Sequence, residues 1–479
     1  MFENALLGIP TEMDYGLIRK AGTPIKGFGG TSSGPEPLRV LHERLKGFIR
    51  SRREVGTQEG KPCSTLRFLA DSINAIGVCV VSGNVRRGAQ ILLCPAGYAH
   101  RKNEFLGLKS GGTGKERADI GYLSNNSLIL SQKEDFLLLP EIVEKVLENG
   151  EPGILNAINI RKFGRFGHLR ESVDDAATGC NPCGEIPLEN KELCNLVELF
   201  PTRINRGGNI ERTVALATLY AQTVSLLPTH QPETNAVVAR NRRIGVSISG
   251  VAEWLAEIGG AALTRELREL YDRVRFCADQ WARESGVVSP VRCTTIKPSG
   301  TISLLAGVSS GMHFPTFRYA IRRIRISETS DIAERLCREG VPYEKDVYTP
   351  GTLVFEFPIA SEVSRPANEV SIWEQMALLS AIQREWADNM VSCTGYFDKG
   401  TEGRQLEHML GLFAPLVKSV SLLPHSDVGA YAQMPYEGIS PEEYSKRKAS
   451  LPVIDWKGTM GQGKAQEEEL YCTGDTCKI

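Results

Sequence analysis

An α/β architecture built largely on parallel strands is what the 479 residues of this chain predict. Stretches with apolar residues at three-and-four spacing alternate with short apolar runs, and the alternation persists through most of the length. That is the pattern of strands joined by crossover helices. A hydrophobic content of 41% provides for a large core, and the length calls for two or more domains unless the fold is a barrel. No internal repeat is evident.

In chain order, the helical spacing selects 66–82, 133–148, 211–226, 251–258, 265–285, 372–389 and 402–413. Apolar runs of strand length fall between them, at 90–93, 197–200, 244–248, 294–296, 353–357, 391–394 and 417–422. Glycine marks the loops that approach a ligand, above all Gly27-Phe28-Gly29-Gly30-Thr31-Ser32-Ser33-Gly34, for which a plain turn is the competing reading. Beyond Leu451 the chain turns polar and charged, which predicts a flexible arm over 451–479 after a body of 1–450.

Composition excludes some partners. Lys and Arg total 56 against 57 Asp and Glu, a net charge of -1, so no sequence-wide basic excess exists to release counterions from a nucleic acid. No apolar run approaches the roughly 20 residues that span a bilayer, and residues 1–10 lack a basic segment followed by an apolar one. A cytoplasmic protein with neither nucleic-acid nor membrane partners is expected. The twelve cysteines are spread widely and should be reduced thiols; Cys63, Cys79, Cys94, Cys277, Cys337 and Cys393 read as small buried hydrophobes.

Chemistry concentrates in Asn181-Pro182-Cys183-Gly184-Glu185, with Cys194 nearby and Cys472 and Cys477 near the C-terminal end. An amide, a thiol and a carboxylate two residues apart share one side of an extended loop and can reach one small polar substrate. A second thiol and a C-x-x-x-x-C tail add two-electron chemistry, because thiols and disulfides exchange through mixed disulfides. Cys180 and Cys183 also form C-x-x-C, the spacing of a zinc knuckle or a thioredoxin-like pair. Zinc would want a second ligand pair, and Cys472 and Cys477 are separated by four residues on a polar tail, so no metal site is expected. After the run 294–296 comes Lys297-Pro298-Ser299-Gly300-Thr301-Ile302-Ser303, where free backbone N–H groups and hydroxyls suit a phosphate. It lacks the Gly-Lys-Ser/Thr ending of a Walker A loop, and an ordinary helix cap competes with it.

Nine ordered motifs then carry a resemblance. They are Gly27-Phe28-Gly29-Gly30-Thr31, Gly83-Asn84-Val85-Arg86-Arg87, Ser124-Asn125-Asn126-Ser127, Asn149-Gly150-Glu151-Pro152-Gly153, Asn181-Pro182-Cys183-Gly184-Glu185-Ile186, Cys194-Asn195-Leu196, Asn241-Arg242-Arg243-Ile244-Gly245, Lys297-Pro298-Ser299-Gly300-Thr301 and Gly311-Met312-His313-Phe314. With the terminal thiol pair they resemble the adenosylcobalamin-dependent, class II ribonucleotide reductases, in particular their monomeric, triphosphate-reducing branch. The resemblance implies a ten-stranded α/β barrel of the ribonucleotide reductase and glycyl radical enzyme type. It implies that Cys183 carries a thiyl radical generated with adenosylcobalamin and that Glu185 accepts the 3′-hydroxyl proton. Asn181 would hold that hydroxyl, and Cys194 would be one of two reducing thiols. Ser299, Gly300 and Thr301 would hold the phosphates of the ribonucleotide substrate. Cys472 and Cys477 would reduce the spent disulfide and pass oxidation to a thioredoxin-type protein.

Departures from the family pattern set further expectations. The early barrel strand bearing the second reducing cysteine is not found, nor is the region that binds the specificity effector. The barrel is therefore expected to be incomplete on its N-terminal side and to need a separate N-terminal reductase fragment; a catalytically silent nucleotide-binding or assembly fragment is the alternative. Cys180 has no family role. Adjacent tyrosines of a tyrosine relay are missing, since Tyr431 and Tyr436 are apart, and Gly395-Tyr396 lacks the rest of a glycyl-radical loop. His425 follows Leu423-Pro424 without an Asp-x-His-x-x-Gly pattern, so a bound cobalamin should keep its own base, and His313 is read as structural.

Overall fold

Apolar strands buried on both faces need cover on both sides, and helices in the connections between parallel strands supply it. The computed structural model describes residues 9, 11–23, 32–53, 65–82, 88–97, 104–166, 176–204, 208–328, 330–347, 351–363, 365–425 and 432–456. In chain order the strands are β1 (Gln90–Pro95), β2 (Ser124–Leu130), β3 (Gly153–Asn156), β4 (Gly179–Cys180), β5 (Pro187–Leu188), β6 (Leu196–Leu199), β7 (Gly245–Ile248), β8 (Tyr319–Ser327), β9 (Tyr343–Lys345), β10 (Thr352–Ala360), β11 (Thr394–Phe397), β12 (Ser419–Pro424) and β13 (Tyr436–Gly438). Helices used below are α1 (Ile210–Ser225), α2 (Gly260–Ser285), α3 (Ile302–Ala306) and α4 (Ile372–Glu385).

Two parallel groups meet along one antiparallel seam. β1, β2 and β3 are parallel neighbours, β12 pairs antiparallel with β3, and β11 pairs parallel with β12. Parallel bridges Ile296↔Val391 and Val246↔Thr294 carry the second group on to β7, which pairs parallel with β6. This is an α/β barrel wall. Its lining merges with the helices into one core that includes Leu128, Ile154, Val246, Ile296, Trp386 and Val420. Among the described residues β1 pairs only with β2 and β6 only with β7, so each presents an open edge.

The observed elements follow local signals with instructive exceptions. α2 begins at Gly260, five residues before the predicted 265, because Gly259 takes φ 78 at the start and Ala261 and Ala262 continue the helix. α4 is capped by the Ser371 side chain, which accepts the Glu374 N–H, and ends at Glu385 instead of 389. It ends there because 386–389 are drawn into the core. Trp386 Nε1 donates to Thr295 O at 2.7 Å, and the Asp388 carboxylate accepts the N–H groups of Cys293 and Thr294 at 2.9 and 2.7 Å.

The run 353–357 was read into the largely parallel pattern, yet it lies in a separate antiparallel sheet of order β13-β8-β10-β9. Its neighbour β8 escaped the sequence reading because Arg322, Arg323 and Arg325 interrupt the apolar signal. Tertiary ion pairs make them acceptable, as Arg323 meets Glu356 and Glu437, and Arg325 meets Asp346. β2 was missed for a similar reason, since Asn125 and Asn126 break its pattern. No described helix is long and apolar enough to cross a membrane.

Removing the Asp388 carboxylate leaves two buried backbone N–H groups without their acceptor, at about 1–3 kcal/mol each. Asp388→Ala should therefore lower the urea midpoint of unfolding markedly while Asp279→Ala, on a half-exposed helix face, changes it little. Equal midpoints for Asp388→Ala and the parent chain would contradict the assigned role.

Candidate active site

The Cys183 segment is a tight turn closing the β4–β5 hairpin, a correction to the extended loop read from the sequence. Asn181 N–H donates to Ile186 O at 3.0 Å, and Gly184 N–H donates to Asn181 O at 2.9 Å. Gly184 takes φ 76, a left-handed conformation that suits glycine. The Asn181 side-chain oxygen accepts the N–H groups of Glu185 and Ile186 at 3.1 and 2.9 Å. That oxygen therefore fixes the loop instead of facing a substrate. Asn125 Nδ2, from β2, donates to Pro182 O at 3.1 Å and steadies the tip. Cys183 is exposed there, whereas Asn181 and Glu185 are buried.

Glu185 is held from behind. Its carbonyl accepts Met390 N–H at 3.0 Å and the Thr295 hydroxyl at 2.8 Å. Its carboxylate is turned inward, and among the described residues Oε2 has no hydrogen-bond donor although the residue is only 2% exposed. Burial pushes the Glu185 carboxyl above the usual range; the Asn181 side chain and Lys297 oppose the rise, and Glu198 adds to it. Burial and the Glu185 charge also raise the Cys183 thiol, with Lys297 pulling it back. The same two causes push Cys194 up to about 11 and Cys180 up to about 12. These four groups thus share one electrostatic neighbourhood. Cys180 and Cys183 are both free thiols; Cys180 packs against the small buried cluster of Leu155, Ile160, Ala177 and Met390.

One cavity adjoins the turn and shares Pro298 as a wall with a second. The first, about 330 Å³, is lined by Cys183, Asn125, Asn126, Glu151 and Ser419, and by Cys393. Cys393, read from sequence as a mere small hydrophobe, faces the same space as the candidate radical thiol. Glu185 and Cys194 do not line this cavity. The other, about 580 Å³, lies between the antiparallel sheet and the 298–317 segment, with Phe314, Phe317, Tyr396, Tyr436 and Tyr444 among its walls. His313 borders it but is committed. Thr394 N–H can only donate, so His313 Nε2 accepts it at 3.0 Å, and Nδ1 carries the hydrogen that goes to Ser310 O at 3.1 Å. Burial holds this imidazole's pKa down, in keeping with a structural histidine.

The phosphate candidates are partly rearranged. Ser299 is buried and its hydroxyl donates to the Glu198 carboxylate, so the hydroxyl faces the protein. Gly300 and Thr301 are exposed at the start of α3, and their backbone N–H groups make no hydrogen bond to another described residue. Sequence reasoning missed Glu198, although a carboxylate inside the apolar strand Leu196–Leu199 is itself a signal, since an acid is buried only with partners. Among the described residues no cluster of His, Cys, Asp and Glu could hold a metal ion. Cys472 and Cys477, Cys63, Tyr431, Gly27-Phe28-Gly29-Gly30-Thr31 and Gly83-Asn84-Val85-Arg86-Arg87 lie outside the described residues.

The fold is that of a ribonucleotide reductase barrel. A crystal structure of a B12-dependent, class II ribonucleotide reductase superposes with a TM-score of 0.77 and 32% sequence identity, covering 91% of this chain and 62% of that one. No family model matches the chain. Over 471 residues it is 40% identical to the adenosylcobalamin-dependent ribonucleoside-triphosphate reductase of Euglena gracilis, covering 97% of this chain and 63% of that protein. A probable adenosylcobalamin-dependent ribonucleoside-triphosphate reductase of Dictyostelium discoideum is 38% identical over 480 residues, covering 97% of this chain and 60% of that protein. The chain belongs to the adenosylcobalamin-dependent, class II ribonucleotide reductase family. It spans about three fifths of the length of these relatives.

The thiol electrostatics predict an order of alkylation. With a pKa of about 11, Cys194 holds about a hundredfold less thiolate at pH 8 than an ordinary thiol, and half-burial slows it further. Iodoacetamide at pH 8 followed by peptide mapping should label Cys183 well before Cys194 and Cys180. Labelling of Cys194 at the rate of an unfolded-chain thiol would contradict this environment.

Proposed function

We propose that the chain is the larger part of a ribonucleotide reductase that converts ribonucleotides, as triphosphates, to 2′-deoxyribonucleotides by thiyl-radical chemistry at Cys183 with adenosylcobalamin. The observation that carries this reading is the buried Glu185 carboxylate, one oxygen lacking a donor, in the electrostatic neighbourhood of two protonated thiols. A base in that setting is matched to a hydroxyl brought by the substrate.

The 580 Å³ cleft fits a large flat cofactor, because aromatic walls at Phe314, Phe317, Tyr436 and Tyr444 offer apolar faces and the cleft adjoins the Cys183 cavity at Pro298. His313, engaged at both nitrogens, is not offered as a ligand. When bound, adenosylcobalamin supplies the radical that removes the hydrogen of the Cys183 thiol. Everything else falls to the chain. The raised Cys183 pKa keeps that residue as S–H, the form that can give up a hydrogen atom. The resulting thiyl takes the ribose 3′ hydrogen while Glu185 accepts the 3′-hydroxyl proton, and the 2′-hydroxyl leaves as water. Cys194 gives one of the two reducing equivalents, and a second thiol forms the disulfide with it. Cys472 and Cys477, in a redox tail over 451–479 that follows a catalytic body over 1–450, reduce that disulfide and are themselves recharged by a thioredoxin-type protein. Gly300 and Thr301 present backbone N–H groups to the substrate phosphates, and Ser299 anchors them. A cytoplasmic setting suits this reducing chemistry.

Exposure of Cys183 favours a second reading for the chain by itself. A thiyl at an exposed tip is open to quenching, and among the described residues β1 and β6 are each unpaired along one edge. We therefore propose that a further N-terminal polypeptide completes the barrel between them and brings the second reducing thiol; without it the chain is a silent nucleotide-binding body.

The test mixes the chain with adenosylcobalamin, cytidine triphosphate and a dithiol, with and without the N-terminal segment of a full-length relative. Deoxycytidine triphosphate should form only in the complemented sample, and turnover by complemented Cys183→Ser would overturn the reading. Glu185→Gln should lower kcat by about 10²–10⁴-fold. Because the Glu185 pKa is raised and the unprotonated base is required, wild-type activity should fall as pH drops through a value above the ordinary carboxylate range. Glu185→Gln should lose that acid limb, and an unchanged limb would assign it to another group.

A further inference from the structure

Glu198 lies on β6, four residues beyond Cys194, and its side chain is 2% exposed. Both oxygens are engaged, Oε1 by the Ser249 hydroxyl just past the end of β7 and Oε2 by the Ser299 hydroxyl. Lys297 Nζ stands 3.8 Å from Oε2. The surrounding contacts extend the link. Ser249 Oγ accepts Gly311 N–H at 2.8 Å, Lys297 N–H donates to Ser247 Oγ at 2.9 Å, and the Ser303 hydroxyl donates to Ser299 O at 2.6 Å. One carboxylate on the edge strand that follows Cys194 thus ties down β7, the 297–303 segment and the 309–311 turn. A buried acid is costly without such partners, and a neutral apolar residue would fill a strand position at less expense.

We propose that Glu198 is a positioning residue, which captures the Ser299 hydroxyl so that the Gly300 and Thr301 backbone N–H groups stay turned outward as a triphosphate site in fixed relation to the Cys194 strand. The inference rests on the reductase reading above and adds to it a residue that acts through Ser299 without touching substrate. Its geometry also accounts for the inward Ser299 hydroxyl, which a phosphate could not use directly. With Glu198 neutral, Ser299 loses a charge-assisted acceptor and Lys297 its nearest carboxylate, so the segment is free to rotate.

The experiment is a double-mutant cycle on the full chain, measured by titration calorimetry with cytidine triphosphate and, separately, with inorganic tripolyphosphate. Glu198→Gln and Ser299→Ala should each weaken binding of both probes about tenfold, and the double variant should be no weaker than either single one. In the complemented enzyme, Glu198→Gln should raise KM for the triphosphate about tenfold and change kcat less than twofold. Binding by Glu198→Gln equal to wild type, or losses that multiply in the double variant, would overturn the Glu198 role while leaving the reductase reading in place. A wild-type chain that binds neither probe would overturn the phosphate site and the Glu198 role together, whatever the complemented enzyme does. If circular dichroism shows Glu198→Gln to be unfolded, Ser299→Ala decides alone, and undiminished binding by it refutes the link.

Discussion

One buried carbonyl, that of Glu185, organises the site. A six-residue turn that carries an exposed thiol on one side and a buried carboxylate on the other is shaped from within by Asn181 but placed from outside. Its position is imposed by Met390 N–H and the Thr295 hydroxyl, which reach it from segments more than a hundred residues away. Those donors are fixed in their turn. Trp386 Nε1 holds Thr295 O, Asn389 N–H holds Thr294 O, and Asp388 gathers the N–H groups of Cys293 and Thr294. Lys418, fully buried, donates to the carbonyls of Asp388 and Asn389 and closes the assembly against β12. The placement of the turn is thereby built on a chain of buried hydrogen bonds, main-chain and side-chain, in which each member is held by the next.

Electrostatics then divides the labour among the thiols. A nucleophilic cysteine needs a lowered pKa, and those around this turn are raised, by burial first and by the Glu185 charge second. Thiols of that kind are poor nucleophiles and poor metal ligands near neutral pH but remain hydrogen-atom donors. The same surroundings that disfavour a zinc knuckle at Cys180 and Cys183 are therefore compatible with the radical use proposed for Cys183. Lys297 moderates the field, since it draws down both Glu185 and Cys183 while standing beside Glu198.

The open edges of β1 and β6 give the barrel wall a seam, and the site lies close to it. Cys194 precedes β6 directly, and the Gly179 end of the hairpin approaches Leu93 of β1. Parallel strands of this kind are stable when covered on both faces and paired on both edges. Cover is present, from α1 beside β6 and β7 with α2 packed against α1, whereas edge pairing among the described residues is not.

The sequence by itself determined the family resemblance, the candidate groups and much of the local structure. The order of Asn181, Cys183, Glu185 and Cys194 singled out the candidate groups, and three-and-four spacing placed 251–258 as the structure has it. These are readings of neighbours within a few residues, where periodicity and capping act directly. Tertiary structure alone decided the direction of the Ser299 side chain, the conversion of an arginine-rich segment into β8, and the presence of Cys393 and Glu198 beside the site. Each of these depends on partners scores to hundreds of residues distant, and a side chain's environment at that range is set by packing, which no local pattern records.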